Sequence, residues 1–140
     1  MEKYLGIDYG QARIGVAVSD ALGITARGIE TICWNGEEFT KPVNRICELA
    51  KQNGVAAIVI GLPRRTDGKI GASEEKARQL GDLLQELTGL DIIWRDERYT
   101  TVLAHRVLNE STVKKRQKRS VVDQVAAEII LQDFLESLRR

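Results

Sequence analysis

Apolar and polar positions along this 140-residue chain change rhythm several times, and each change marks an element. Lys3-Tyr4-Leu5-Gly6-Ile7-Asp8-Tyr9-Gly10 predicts an apolar strand that ends on a carboxylate and a turn, and Gln11 to Asp20 continues into a second apolar strand. Alternate strand residues face opposite sides of a sheet, so Tyr4, Gly6 and Asp8 share a face, with open space expected at Gly6 beneath Asp8. Gly10 permits a tight reversal that a bulky residue would resist. Arg27 to Cys33 reads as a third strand, and the short connections suggest an antiparallel meander. From Phe39 to Asn53 the pattern turns helical, with Val43, Ile46, Cys47 and Ala50 at i, i+3, i+4, i+7 and Gly54 placed as the C-terminal cap.

The continuous apolar run Val55-Ala56-Ala57-Ile58-Val59-Ile60 predicts a strand buried on both faces, ended by Gly61-Leu62-Pro63. A polar loop, Arg64 to Lys69, leads to a second helix over about Ser73–Thr88. Ala77, Leu80, Leu84 and Leu87 form its stripe, and Gly89 stops it. Asp91 to Arg95 reads as a fifth strand running into Asp96-Glu97-Arg98. Thr100 or Thr101 is suited to cap a short helix through Leu108, and a last helix is expected over about Ser120–Leu138. Three strands, helix, strand, helix, strand, helix, helix implies an α/β fold. Its mixed five-stranded sheet combines a three-strand antiparallel meander with parallel strands, flanked by helices.

Composition adds limits. Residues 1–140 are expected to form one domain, large enough to bury a core. The 43% hydrophobic and 29% charged fractions are those of a soluble globular protein. Cys33 and Cys47 make no Cys-x-x-Cys pair and read as two buried thiols of a reducing cytosol. No apolar run reaches membrane-spanning length and no leader pattern precedes the first strand, so a cytoplasmic protein without a membrane partner is expected. The net charge of +1 conceals one concentrated block, Lys114-Lys115-Arg116-Gln117-Lys118-Arg119, with five cations in six residues. Such a block is either a solvated loop or a contact for a phosphate-rich partner.

Three carboxylates then acquire meaning together. Ligands of open sheets bind beyond the carboxyl ends of parallel strands, and Asp8 and Glu97 lie just past such ends. Asp123, read as part of the first turn of the last helix, heads a stripe of Ala126, Ala127, Ile130 and Phe134 that must face the sheet. Two unit charges about 4 Å apart repel by roughly 4 kcal/mol at an effective dielectric of 20. A divalent cation removes that cost. Oxygen ligands favour magnesium or manganese, and a pair of metals about 3.5–4 Å apart suits phosphodiester hydrolysis. Each acid also has a structural reading: Asp8 as a turn cap, Glu97 as an ion-pair partner of Arg95 or Arg98, and Asp123 as the end of a capping box begun by Ser120. Asp96 competes with Glu97. His105, the one histidine, reads as an exposed helix residue, and Trp34 and Trp94 as packing.

Several motifs in this order resemble the YqgF family: Gly6-Ile7-Asp8-Tyr9-Gly10 with Arg13-Ile14-Gly15-Val16-Ala17-Val18-Ser19-Asp20, Gly61-Leu62-Pro63 with Asp67-Gly68, Asp96-Glu97-Arg98-Tyr99-Thr100-Thr101, and Val122-Asp123-Gln124-Val125-Ala126-Ala127 with Ile129-Ile130-Leu131-Gln132. That family comprises Holliday-junction-resolvase-like proteins of the ribonuclease H-like fold, also described as nucleases that process the 5′ end of pre-16S ribosomal RNA. The resemblance spans essentially the whole chain. It implies Asp8, Glu97 and Asp123 as catalytic, metal-binding acids and prefers Glu97 over Asp96. Tyr99 departs from the family's usual Leu, and Arg64-Arg65 make the loop after Pro63 more basic than is common.

The expected partner is structured RNA or branched DNA, acted on with magnesium or manganese by a monomer or homodimer. Arg13, Arg64, Arg65, Arg98, Lys114, Lys115, Arg116, Lys118 and Arg119 are the candidate phosphate contacts, which position a backbone without reading sequence. Two rivals remain. One is a nucleic-acid-binding factor in ribosome assembly or transcription without catalysis. The other is an ATP-using enzyme, because a strand ending Asp-x-Gly also opens the sugar-kinase fold. The kinase reading lacks a duplicate domain and a Gly-x-x-x-x-Gly-Lys loop.

Overall fold

The computed structural model describes residues 2–62, 71–96 and 115–139, with residues 115–121 described through their backbone only. Strands β1 (Tyr4–Asp8), β2 (Arg13–Ser19) and β3 (Ala26–Cys33) precede helix α1 (Thr40–Asn53). Strand β4 (Ala57–Leu62), helix α2 (Ala72–Thr88), strand β5 (Asp91–Asp96) and helix α3 (Lys115–Leu138) complete the described elements. The sheet order is β3-β2-β1-β4-β5. The β1–β2 and β2–β3 pairs are antiparallel, and β1–β4 and β4–β5 are parallel. This is the mixed sheet that the hydrophobic pattern implies.

Two apolar layers hold the sheet between helices. Leu5, Ile7, Ile14, Val16, Ile58 and Ile60 pack with Val43, Ile46, Leu80 and Leu84 of α1 and α2 on one face. Ala17 and Val59 pack with Ala127, Ile130, Leu131 and Phe134 of α3 on the other. The alternation of β1, β2 and β4 therefore feeds two cores rather than one core and solvent. Pro42 sits in the first turn of α1, where its missing N–H costs nothing. Gly54 and Gly89 end α1 and α2 in the left-handed conformation, φ 60° and 70°.

Five expectations need correction. First, α3 begins at Lys115, so residues 115–119 of the basic block are helical and Asp123 lies well inside the helix rather than in its first turn. The capping-box reading of Ser120 falls with it. Second, β4 runs on through Gly61 and Leu62, because Gly61 is paired on both sides, with Asp8 and with Arg95. Third, the space at Gly6 is not open: a Cβ built there would stand 2.8 Å from Leu131 Cβ and 3.1 Å from the Ala127 carbonyl. Fourth, Leu87 is 62% exposed and off the buried stripe of α2, where Glu74 and Gly81 are buried instead. Fifth, the thiol of Cys33 is exposed and that of Cys47 half-buried, since Cys33 ends the edge strand β3.

Candidate nuclease site

Strand register decides which side chains share a face. Asp8 is aligned with Gly15 of β2 and Gly61 of β4, Gly15 with Thr31 of β3, and Gly61 with Arg95 of β5. Aligned residues point the same way, so Thr31, Gly15, Asp8, Gly61 and Arg95 form one row across the sheet. The row faces α3: Thr31 accepts a hydrogen bond from Gln124 at 3.2 Å, and Arg95 donates to Asp133 at 2.5 Å. Asp8, only 9% exposed, is thus flanked on both strands by residues without side chains.

Gly15 is what admits the second acid. A Cβ there would lie 2.0 Å from the Asp123 carbonyl oxygen and 3.1 Å from Asp123 Cβ. Helix α3 therefore rests its backbone on bare strand, and Asp123 arrives beside Asp8 on the same face. Gly28 makes a second such seat, 2.7 Å from Gln124 Cβ by the same measure. The Gly28 and Ala26 N–H groups of the edge strand donate to Glu128 and Gln132 of α3 at 2.5 and 3.0 Å. These bonds fix the rotation of α3 and so the aim of Asp123.

Asp123 accepts a hydrogen bond at 2.8 Å from Arg13 Nε to its Oδ2, with the side chains 16% and 38% exposed respectively. Burial pushes the Asp123 carboxyl above the usual range, and the Arg13 guanidinium pulls against that rise. The turn between Asp8 and Arg13 is held from behind. The Trp34 indole N–H donates to the Gly10 carbonyl at 2.8 Å, while its ring meets Tyr9 edge-on and stacks on Phe39. Gly10 is required because a Cβ would stand 2.3 Å from the Arg13 carbonyl oxygen.

Of the expected site residues, Asp8 and Asp123 are brought together on one face. Asp96 lies on the other: it aligns with Leu62 of the α1–α2 core and shares its face with Trp94, two residues before it, which packs against Gly81 of α2. Arg13 reaches the site, but its contact is Asp123. Glu97, Arg64, Arg65, Arg98, Lys114, Pro63, His105 and the short helix expected near Leu108 lie outside the described residues. For Lys115, Arg116, Lys118 and Arg119 the backbone alone is described, as helix. Among the described residues no three metal-ligating side chains come together. Asp8 and Asp123 nonetheless suit a hard divalent cation in their chemistry, being carboxylates that both neighbour Gly15 on one sheet face. The indole clamp of Trp34 and the seat at Gly15 escaped sequence reading. The Arg13-x-Gly15 spacing, two residues on one strand face, was the available signal for the second.

A family model described as RuvX, Holliday junction resolvase, matches residues 2–137. The chain belongs to the RuvX family. An Acetivibrio thermocellus relative named "Putative pre-16S rRNA nuclease" is 46% identical over 136 residues, covering 96% of both chains. A Bacillus thuringiensis relative of the same name is 43% identical over 135 residues, covering 96% of this chain and 98% of the relative. Among solved structures, T. thermophilus RuvC in complex with Holliday junction substrate aligns with a TM-score of 0.64 at 12% identity, over 99% of this chain and 96% of that one. This RuvX-family sheet and its helices thus follow the RuvC-like, ribonuclease H-like fold. No helix among the described residues is long and apolar enough to cross a membrane.

Proposed function

We propose that this member of a nuclease family hydrolyses phosphodiester bonds in structured nucleic acid, with the 5′ end of pre-16S rRNA as its substrate. Residues 1–140 act as a single nuclease domain in the cytoplasm, as a monomer or homodimer. Asp8, Glu97 and Asp123 are the acids that hold magnesium or manganese. When bound, that metal pair supplies an activated water and charge stabilisation at the leaving oxygen. Asp8 and Asp123 provide a fixed, partly desolvated pair of oxygen donors. Arg64, Arg65, Arg98 and the cations of 114–119 hold the phosphate backbone. Specificity then rests on substrate shape rather than on base contacts.

The observation that supports this reading is the meeting of Asp8 and Asp123 on one sheet face, with Gly15 as the seat that brings α3 in. Asp8 stands in the sheet row that α3 covers at Gly15, which supports one centre for two acids 115 positions apart in the sequence. Purified protein, incubated with manganese, is expected to cleave a pre-16S rRNA fragment or a four-way DNA junction, and the preferred substrate identifies the natural class. Asp8→Asn and Asp123→Asn are each expected to lower cleavage at least a hundredfold while nucleic-acid binding persists. Metal-independent binding without any cleavage would instead favour an assembly factor. Full cleavage by either variant would overturn the assignment of the acids.

A further inference from the structure

The ion pair between Arg13 and Asp123 links strand β2 to helix α3 across 110 positions, through a single Nε to Oδ2 contact of 2.8 Å. A guanidinium carries five N–H donors in one plane, and this one makes no second hydrogen bond or ion pair among the described residues. Asp123 is mostly buried, whereas the Arg13 side chain keeps 38% of its exposure. A largely buried carboxylate without a cation is costly, so a positive partner stabilises its charged form whenever no metal is bound. The backbone of Arg13 is fixed in the sheet beside Cys33, yet its side chain is long and partly solvated, free to change partner without moving the strand.

We infer that Arg13 is the internal counter-ion of Asp123 and trades that carboxylate for a phosphate of the nucleic acid when metal is taken up. The inference rests on the reading of Asp8 and Asp123 as the metal-holding acids. In the free protein the guanidinium neutralises part of the charge that attracts a divalent cation and repels the cation itself. Once nucleic acid is present, Arg13 turns its planar fork to the phosphate, a geometry it matches well, and leaves Asp123 to the metal. Metal and nucleic acid therefore bind with positive coupling, each raising the affinity for the other by the same factor. A metal-free protein keeps its acids paired and its helix seated. It gains full metal affinity when there is a phosphodiester to act on.

The test measures manganese affinity by calorimetry, with and without an RNA hairpin carrying cleavage-resistant phosphorothioate linkages. Wild-type protein is expected to bind manganese several-fold more tightly with the hairpin than without it. Arg13→Gln is expected to bind manganese at least threefold more tightly than wild type in the absence of RNA and to lose most of the hairpin's effect. Arg13→Lys, which keeps the charge, is expected to stay near wild type in the absence of RNA. Equal or weaker manganese binding by Arg13→Gln, in protein whose circular dichroism is native, overturns the inference, as does tightening by Arg13→Lys to the same degree. In EDTA, thermal unfolding of Arg13→Gln, Asp123→Asn and the double variant should be non-additive, and additivity would remove the ion pair from the account. Failure of wild-type protein to bind manganese would sink the metal-site reading itself. Intact wild-type binding with an unresponsive Arg13→Gln sinks this inference alone.

Discussion

The carbonyl oxygen of Asp123 lies over the bare α-carbon of Gly15, where even one methyl group would approach it to 2.0 Å. Gly15 is in turn aligned with Asp8 across the β1–β2 ladder. One missing side chain thus sets the spacing of both acids. Gly15→Ala forces α3 off the sheet. The expected cost is about 1–3 kcal/mol of stability, the range for overpacking a tight contact. Cleavage should fall further than stability predicts, because Asp123 moves with the helix. Denaturant unfolding and a cleavage assay on folded protein check both halves. An unchanged midpoint would mean that the helix is not seated there.

Leu131 is fully buried and fills the place above Gly6. Leu131→Ala empties that place and is expected to destabilise the protein by about 2–5 kcal/mol, the usual cost of a leucine-sized truncation. Calorimetric unfolding measures it. A loss well under that range would show that α3 collapses into the gap.

Trp34→Phe keeps an aromatic ring against Tyr9 and Phe39 but removes the donor to the Gly10 carbonyl. The expected stability loss is about 1 kcal/mol, the net worth of one hydrogen bond. Because Gly10 follows Asp8 by two residues, cleavage should drop several-fold while α3 stays docked. Trp34→Ala should lose more stability, and the difference between the two variants isolates the ring from its N–H.

Glu30 offers a pH handle remote from the acids. Its carboxylate takes two hydrogen bonds of 2.7 Å from Arg45, and these hold its pKa below the ordinary carboxylate value of 4.5, against the effect of burial. A group with a depressed folded pKa contributes stability above the unfolded value and loses it as pH falls through the folded one. Glu30→Gln should therefore unfold at lower urea than wild type at neutral pH, and the two curves should draw together as pH falls below the ordinary carboxylate value and through the depressed one. The effect is modest because both side chains are partly solvated. Curves that stay apart at low pH would assign the difference to packing.

Much of this arrangement is legible in the sequence because alternation in strands and three-to-four spacing in helices are local signals. Strands β1 to β5, both glycine caps and the inward face of Ala126, Ala127, Ile130 and Phe134 follow from them. The start of α3 does not. The Lys114–Arg119 block has no apolar period, so pattern reading begins the helix at Ser120, although Lys, Arg and Gln are good helix formers. Gly61 misleads in the same way: it resembles a breaker until its two ladder partners, Asp8 and Arg95, are known. The resemblance prefers Glu97 to Asp96, but the placing of Asp96 on the face opposite Asp8 needed the phase of β5, which Trp94 reveals by packing on Gly81. The Arg13–Asp123 contact is invisible without the fold, since nothing local joins residues 110 positions apart.

The span between Gly15 and Asp123 also gives the centre a timetable. During synthesis the first strands emerge early, carrying Asp8 and the glycine seat, while the helix that completes the pair is still being made. A nascent chain that lacks α3 has Ala17 and Val59 uncovered and no partner for Arg13. The second apolar layer therefore closes only once α3 has been made, which leaves that side of the sheet exposed on every unfinished copy.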